Sequence, residues 1–211
     1  MPAEDSGTTR LRGDVLAAVK GCLAELDETG FPRRLWDGDC SLWPGDAAET
    51  AQRLGWLHLP DTMQAHAEAL ATLSGEVGNG VIRDVVLLGM GGSSLGAEVL
   101  NQVFGPAAGQ PRLHVLDSTA PGAVRDVADA IDFSRTLFIV SSKSGGTLEP
   151  NLLHDFFSAE VATRNGRSPG EQCIAITDAG TSLERLARKA GFRHVFTNPS
   201  DVGGRYAVLS L

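Results

Sequence analysis

Apolar side chains recur at roughly helical spacing from about Leu11 to Leu26, with charges between them, until Gly30-Phe31-Pro32 stops the run. That pattern predicts one helix. Arg33 to Leu59 carries Trp36, Trp43 and Trp56 among Pro, Gly and Asp, and holds a second predicted helix from Asp46 to Leu54. Indoles in such a stretch serve as packing anchors, with ligand stacking as the alternative. Met63–Leu73 predicts a third helix. From Arg83 onward short β-branched runs alternate with helix-length amphipathic stretches. Strands are predicted at Asp84–Leu88, Arg112–Leu116, Thr136–Val140, Gln172–Ile176 and His194–Phe196. Helices are predicted at Ser94–Phe104, Pro121–Ala130, Thr147–Thr163 and Ser182–Ala190. This βαβ rhythm implies an α/β fold, a five-stranded parallel doubly wound sheet with an N-terminal helical extension. The expected division is 1–75, a helical segment packing on the sheet, and 76–211, the α/β domain. No internal repeat is present, and Asn165–Gly170 reads as a polar connecting loop.

Composition narrows the partners. The 211 residues suffice for one α/β domain plus a small helical appendage, and 42% apolar with 21% charged residues is ordinary for a globular chain. A formal net charge of −8 argues against nucleic acid or an anionic membrane as the main partner. Any phosphate site must then be built locally, from backbone N–H groups, helix N-termini and one or two cations. Cys22, Cys40 and Cys173 lie at wide, irregular spacings with no metal-ligand pattern, so they read as free thiols, and no metal is expected. The start MPAEDSGTTRLR lacks an apolar signal-peptide core, and no apolar run approaches the roughly 20 residues of a membrane helix. A cytoplasmic protein is expected.

Ligands of doubly wound folds sit beyond the C-terminal strand ends. Two loops there carry chemistry. The first, Gly89-Met90-Gly91-Gly92-Ser93-Ser94-Leu95-Gly96, leaves the first strand and enters a helix with glycines where backbone can approach a ligand. It reads as an anion loop or as a tight turn. Its spacing is neither G-x-G-x-x-G nor a nucleotide P-loop, and no acidic residue ends the second strand, although Asp117 comes close, so no nucleotide cofactor is expected. The second, Ser141-Ser142-Lys143-Ser144-Gly145-Gly146-Thr147, follows the third strand and opens a long helix. Its hydroxyls, N–H groups and lysine suit a phosphate; the alternative is that Ser144 or Thr147 merely caps the helix, with Glu149 favoured by the dipole.

At these residues a resemblance becomes specific. G-M-G-G-S-S-L-G and S-S-K-S-G-G-T-L-E resemble the two phosphosugar loops of the sugar isomerase (SIS) fold. Asp201-Val202-Gly203-Gly204-Arg205-Tyr206 is similar to the glycine-glycine-arginine-aromatic signature of the glucose-6-phosphate isomerase family. The runs Arg34-Leu35-Trp36, Leu42-Trp43 and Arg53-Leu54-Gly55-Trp56-Leu57 resemble the start of the isomerase part of bacterial transaldolase–isomerase fusions. The resemblance implies a flavodoxin-like SIS domain that binds a hexose 6-phosphate. Ser93, Ser142, Lys143, Ser144 and Thr147 would hold the phosphate, Gly92 would let backbone approach the sugar, and Arg205 would stabilise charge on a cis-enediol intermediate. A guanidinium keeps its proton near neutral pH, which suits that role; a surface salt bridge is the alternative for Arg205.

The resemblance also implies that the glutamate base, the ring-opening histidine and a lysine come from a later part of such enzymes, beyond Leu211. A second SIS domain is therefore expected to be absent, and the chain is expected to be inactive alone. His58, His66, His114, His154 and His194 are expected bystanders. Ala207 departs from the family's hydroxyl residue. A non-catalytic phosphosugar-binding or regulatory module is the alternative function, a dinucleotide-binding domain a third, and a homodimer is what the family allows.

Overall fold

The computed structural model describes residues 13–166 and 168–211. These fall into two compact units, one ending at Ala51 and one running Gln52–Leu211. The division expected at 75/76 separates helices from sheet; compactness instead groups the helices after Gln52 with the strands.

In the first unit, α1 (Gly13–Glu28) and α2 (Phe31–Trp36) meet at Gly30, whose φ of 63° suits glycine, and α3 spans Ala47–Ala51. Leu11 and Arg12, at the start of the first predicted helix, lie outside the described residues. Between α2 and α3, the Asp39 carboxylate accepts from Ser41 Oγ at 2.6 Å, Arg34 Nε at 2.7 Å and the Ser41 N–H at 2.9 Å. Those bonds, the Ser41 hydroxyl first, lower its pKa to about 2. Trp36 is 59% exposed, so it is no packing anchor.

The second unit opens with a run of short helical turns: a 3-10 turn at Gly55–His58, α4 (Leu59–Thr62) and another 3-10 turn at Met63–His66, followed by α5 (Ala67–Val77). The single helix expected over Met63–Leu73 thus starts as a tighter turn and runs on to Val77. It continues because Leu73 and Val77 pack beneath the sheet. After α5 come β1 (Asp84–Gly89), α6 (Leu95–Phe104), β2 (Arg112–Leu116), α7 (Pro121–Ala130) and β3 (Thr136–Ser141). Then follow α8 (Leu148–Asn165), β4 (Cys173–Asp178), α9 (Ser182–Ala190) and β5 (His194–Asn198). All pairings are parallel and the strand order is β2-β1-β3-β4-β5, the flavodoxin-like order. Gln172, expected to begin β4, lies before it and spends its side-chain amide on the Phe133 and Thr136 carbonyls, at 2.7 and 2.6 Å.

Side chains alternate between two covered faces, as strands buried on both sides require. Val86, Leu88, Phe138, Val140 and Ala175 pack with Leu153, Phe157 and Val161 of α8 and Leu183 and Ala187 of α9. The Phe138 and Phe157 rings sit 5.1 Å apart. Val85, Leu137 and Ile174 face α5 on the other side. At the N-terminal edge the Asp84 carboxylate, 0% exposed, accepts from Arg112 Nη2 and His114 Nε2, each at 2.9 Å, tying the start of β1 to β2. That closes one end of the sheet with charge and leaves the other end for loops.

Candidate functional site

In this strand order the winding direction reverses between β1 and β3, whose last paired residues are Gly89 and Ser141. A crevice forms at such a switch point. The two loops singled out in the sequence leave these two strands, so topology alone brings them side by side.

The first loop makes a 3-10 turn at Gly91–Ser93 before α6. Ser94 is buried, and its hydroxyl donates to the Gly91 carbonyl at 3.2 Å, so α6 starts without a side-chain cap. In the second loop Ser142 Oγ donates to Thr147 Oγ1 at 3.1 Å, and the Gly146 N–H donates to Ser144 Oγ at 3.2 Å. Thr147 occupies the N-cap of α8, yet its side chain caps no N–H, and among the described residues no other side chain accepts from the first turn. Capping therefore does not account for these hydroxyls. The first N–H groups of α8 stay available, at the positive end of the helix dipole. Gly145 fixes the loop's path: its φ is 65°, and a Cβ there would meet the Leu183 N and the Thr181 Cβ, both at 2.8 Å. Ser182 Oγ donates to the Gly145 carbonyl at 2.8 Å, which ties the loop to the start of α9.

Lys143 does not project freely. Its Nζ donates to Asp178 Oδ2 and to the Ser200 carbonyl, each at 2.6 Å. Asp178 ends β4, and its other oxygen, Oδ1, is buried without a hydrogen-bond partner among the described residues. A third strip of chain, ending in a 3-10 segment Gly204–Leu209, lies across the first loop and α6. Approach is close enough that a Cβ on Gly92 would reach the Gly204 carbonyl, its carbon at 2.8 Å and its oxygen nearer still. Tyr206 stacks on Trp56, ring centroids 4.5 Å apart and planes 8° from parallel. The Gly55 N–H donates to the Asp201 carbonyl at 3.1 Å.

These pieces enclose a cavity of about 750 Å³, within the range of small-molecule sites. Of the seven site residues expected from sequence, Gly92, Ser93, Lys143, Ser144 and Thr147 line it, beside Gly203 and Gly204. Leu87, Ile139 and Ile176 from the strands supply an apolar floor. Ser142 is 3% exposed and stands behind the wall, holding Thr147. Arg205 is exposed, lies outside the lining, and forms no ion pair among the described residues. Sequence reasoning did not single out Arg53, Asp178 and Asn198, which also line the cavity. Among the described residues no group of three or more His, Cys, Asp or Glu could hold a metal, and no described helix is long and apolar enough to cross a membrane.

Residues 57–211 match the phosphoglucose isomerase family. A glucose-6-phosphate isomerase of Cyanothece sp. is 34% identical over 134 residues, covering 62% of this chain and 25% of the relative. One from Trichormus variabilis is 28% identical over 209 residues, covering 93% of this chain and 37% of the relative. The chain thus spans well under half the length of these curated relatives. Among solved structures, a hypothetical protein of Thermus thermophilus superposes with a TM-score of 0.74 at 28% identity, covering 95% of this chain and 46% of that one. A glucose-6-phosphate isomerase of Chlamydia trachomatis shares the fold, with a TM-score of 0.60 at 23% identity over 83% of this chain and 32% of that one. With its cavity-lining loops and terminal strip inside the matched segment, the chain belongs to the phosphoglucose isomerase family.

Proposed function

We propose that this chain is the N-terminal, phosphosugar-binding SIS domain of an aldose–ketose isomerase that interconverts glucose 6-phosphate and fructose 6-phosphate through a cis-enediol. One observation carries the reading: five of the expected residues, from loops far apart in sequence, wall a single cavity at the switch point of the sheet. The Ser93, Ser144 and Thr147 hydroxyls and the free N–H groups at the start of α8 suit the three acceptor oxygens of a phosphate monoester. Ser142 acts by holding Thr147, and Lys143, with one donor left after Asp178 and the Ser200 carbonyl, adds a hydrogen bond. Arg205, two residues beyond Gly203 on the strip that closes the cavity, would turn inward over the sugar and stabilise the negative oxygen of the enediolate. The domain works in a reducing, cytoplasmic setting, in keeping with three free cysteines.

By itself the chain binds without turning over. Among the described residues no histidine or glutamate lines the cavity, and its one lining carboxylate side chain, Asp178, is paired with Lys143. Proton transfer between C1 and C2 needs a free base within hydrogen-bond reach. The outward position of Arg205 favours a second reading, a non-catalytic phosphosugar-binding module.

Amide NMR tests the proposal. Fructose 6-phosphate at millimolar concentration should shift Gly91–Ser94 and Ser142–Thr147, and unphosphorylated fructose should leave them in place. Silence in both loops would remove the phosphate assignment. A shift of the Arg205 amide and side chain with the sugar phosphate, absent with inorganic phosphate, would separate the isomerase reading from the simple binder.

A further inference from the structure

The charged side chains that line the cavity are Arg53, Lys143 and Asp178. Lys143 has two of its three donors committed, to the Asp178 carboxylate and the Ser200 carbonyl. The lysine and aspartate together are electrically neutral. A sugar phosphate carries about −1.5 to −2 charges at neutral pH, and a protein with a net charge of −8 repels it at long range. The two loops therefore offer hydrogen bonds but no uncompensated positive charge.

We infer that Arg53 is a further phosphosugar-binding residue, supplying the unpaired cation that the two loops lack. This rests on the phosphosugar assignment of the cavity. Among the described residues Arg53 forms no ion pair, and its side chain is exposed. Its Nη1 lies 3.4 Å from the point where a Cβ on Gly203 would stand, and Lys143 Cδ touches the same point at 3.4 Å. The two cationic side chains therefore meet over one glycine, at the mouth between the second loop and the Gly203-Gly204 strip. A guanidinium is the better-suited of the two for this task. It is planar, less strongly hydrated than an ammonium, and can present two parallel donors to a phosphate.

The position is built into the fold. Two residues after Arg53, the Gly55 N–H is bonded to the Asp201 carbonyl, and any side chain on Gly55 would collide with the Asp201 carboxylate. One residue further, Trp56 stacks on Tyr206. These contacts clamp the backbone beside Arg53 to the strip that carries Gly203 and Gly204, while among the described residues the guanidinium itself makes no hydrogen bond or ion pair. Its contribution is electrostatic and directed into the cavity.

The test compares the full chain with Arg53→Gln and Arg53→Lys, titrating inorganic phosphate and fructose 6-phosphate while following the amides of Ser142–Thr147. Arg53→Gln should bind both ligands roughly tenfold more weakly, the loss expected for one charge-assisted contact at an exposed site. Arg53→Lys should recover part of that loss, and the ligand-free melting temperature should not move in either variant. Equal affinities in wild type and Arg53→Gln, with the loop amides still shifting, would overturn the role of Arg53 and leave the loop assignment standing. A loss for fructose 6-phosphate with none for phosphate would also overturn it, because the contact would then be to the sugar. No loop shift in the wild-type chain would overturn both.

Discussion

Replacing Gly92 with alanine adds one methyl group at the closest backbone approach in the site. The residue does not occupy the left-handed region, so the effect is steric alone. The new Cβ would stand 2.8 Å from the Gly204 carbonyl carbon and closer to its oxygen. Carbon atoms pack best at roughly 3.5–4.0 Å, so the strip bearing Gly203, Gly204 and Arg205 must retreat by roughly 1 Å. Overpacking of this kind costs about 1–3 kcal/mol. Retreat also drags Tyr206 from Trp56, an aromatic contact worth about 0.5–1.5 kcal/mol. Taking about 2 kcal/mol as the centre, the melting temperature should fall by roughly 4–8 °C for a chain of this size. The amides of Gly203–Tyr206 should shift, as should Trp56 fluorescence. If the cavity is the proposed sugar-phosphate site, affinity for the ligand should drop because its roof has lifted. Gly146→Ala is the matched control. A Cβ there would meet only Ser144 Oγ, at 3.9 Å, so stability should change by under about 0.5 kcal/mol. Thermal denaturation and two-dimensional NMR on both variants decide. If Gly92→Ala melts like wild type with the Gly203–Tyr206 amides unmoved, the close approach is not what makes glycine necessary.

Cysteine reactivity should be sharply graded: burial pushes the Cys173 thiol up to about 12, while Cys22 is exposed. In native protein at pH 8 a disulfide reagent should modify Cys22 readily and leave Cys173 untouched until denaturant is added, and prompt native labelling of Cys173 would contradict its place in the core. The Glu184 carboxylate accepts from the Gly180 N–H and from Arg188, and these bonds lower its pKa below the usual glutamate value, the Gly180 bond foremost. A depressed carboxylate stabilises above its unfolded pKa and loses that contribution as pH falls through the folded one. The stability deficit of Glu184→Gln relative to wild type should therefore be full at pH 7 and shrink below about pH 4.5. A deficit that stays constant from pH 7 to pH 3 would mean the charge is irrelevant.

Much of this molecule is visible in its sequence because the signals are local. Val85–Leu88 and Leu137–Val140 are short apolar runs in the sheet, all buried except half-buried Ile139, and each is followed directly by its glycine- and hydroxyl-rich loop. Parallel pairing of the two strands makes those loops neighbours. What periodicity could not show was which distant segment completes the wall. Arg53 reaches the cavity through a hydrogen bond between Gly55 and Asp201 and the stack of Trp56 on Tyr206, contacts that no spacing rule encodes. The partner of Lys143 was likewise hidden, since Asp178 extends β4 two residues past its expected end. Helix ends erred for a related reason: α5 runs past Leu73 because Val77 finds a buried place under β1 and β3. Trp36 shows the reverse, a large indole that the fold leaves largely outside.

The uncapped start of α8 sets stability and affinity against each other. Thr147 sits where a capping oxygen would satisfy an orphan N–H, but its hydroxyl is turned to Ser142. An aspartate at that position would be the obvious thermostabilising change, worth about 1 kcal/mol in an ordinary helix. Here it would fill the vacant acceptor position and plant a negative charge in the proposed phosphate site. Selection for robustness and selection for ligand capture thus pull on one side chain in opposite directions. Engineers seeking a hardier version of this domain should leave the mouth of α8 alone and look to its outer helices.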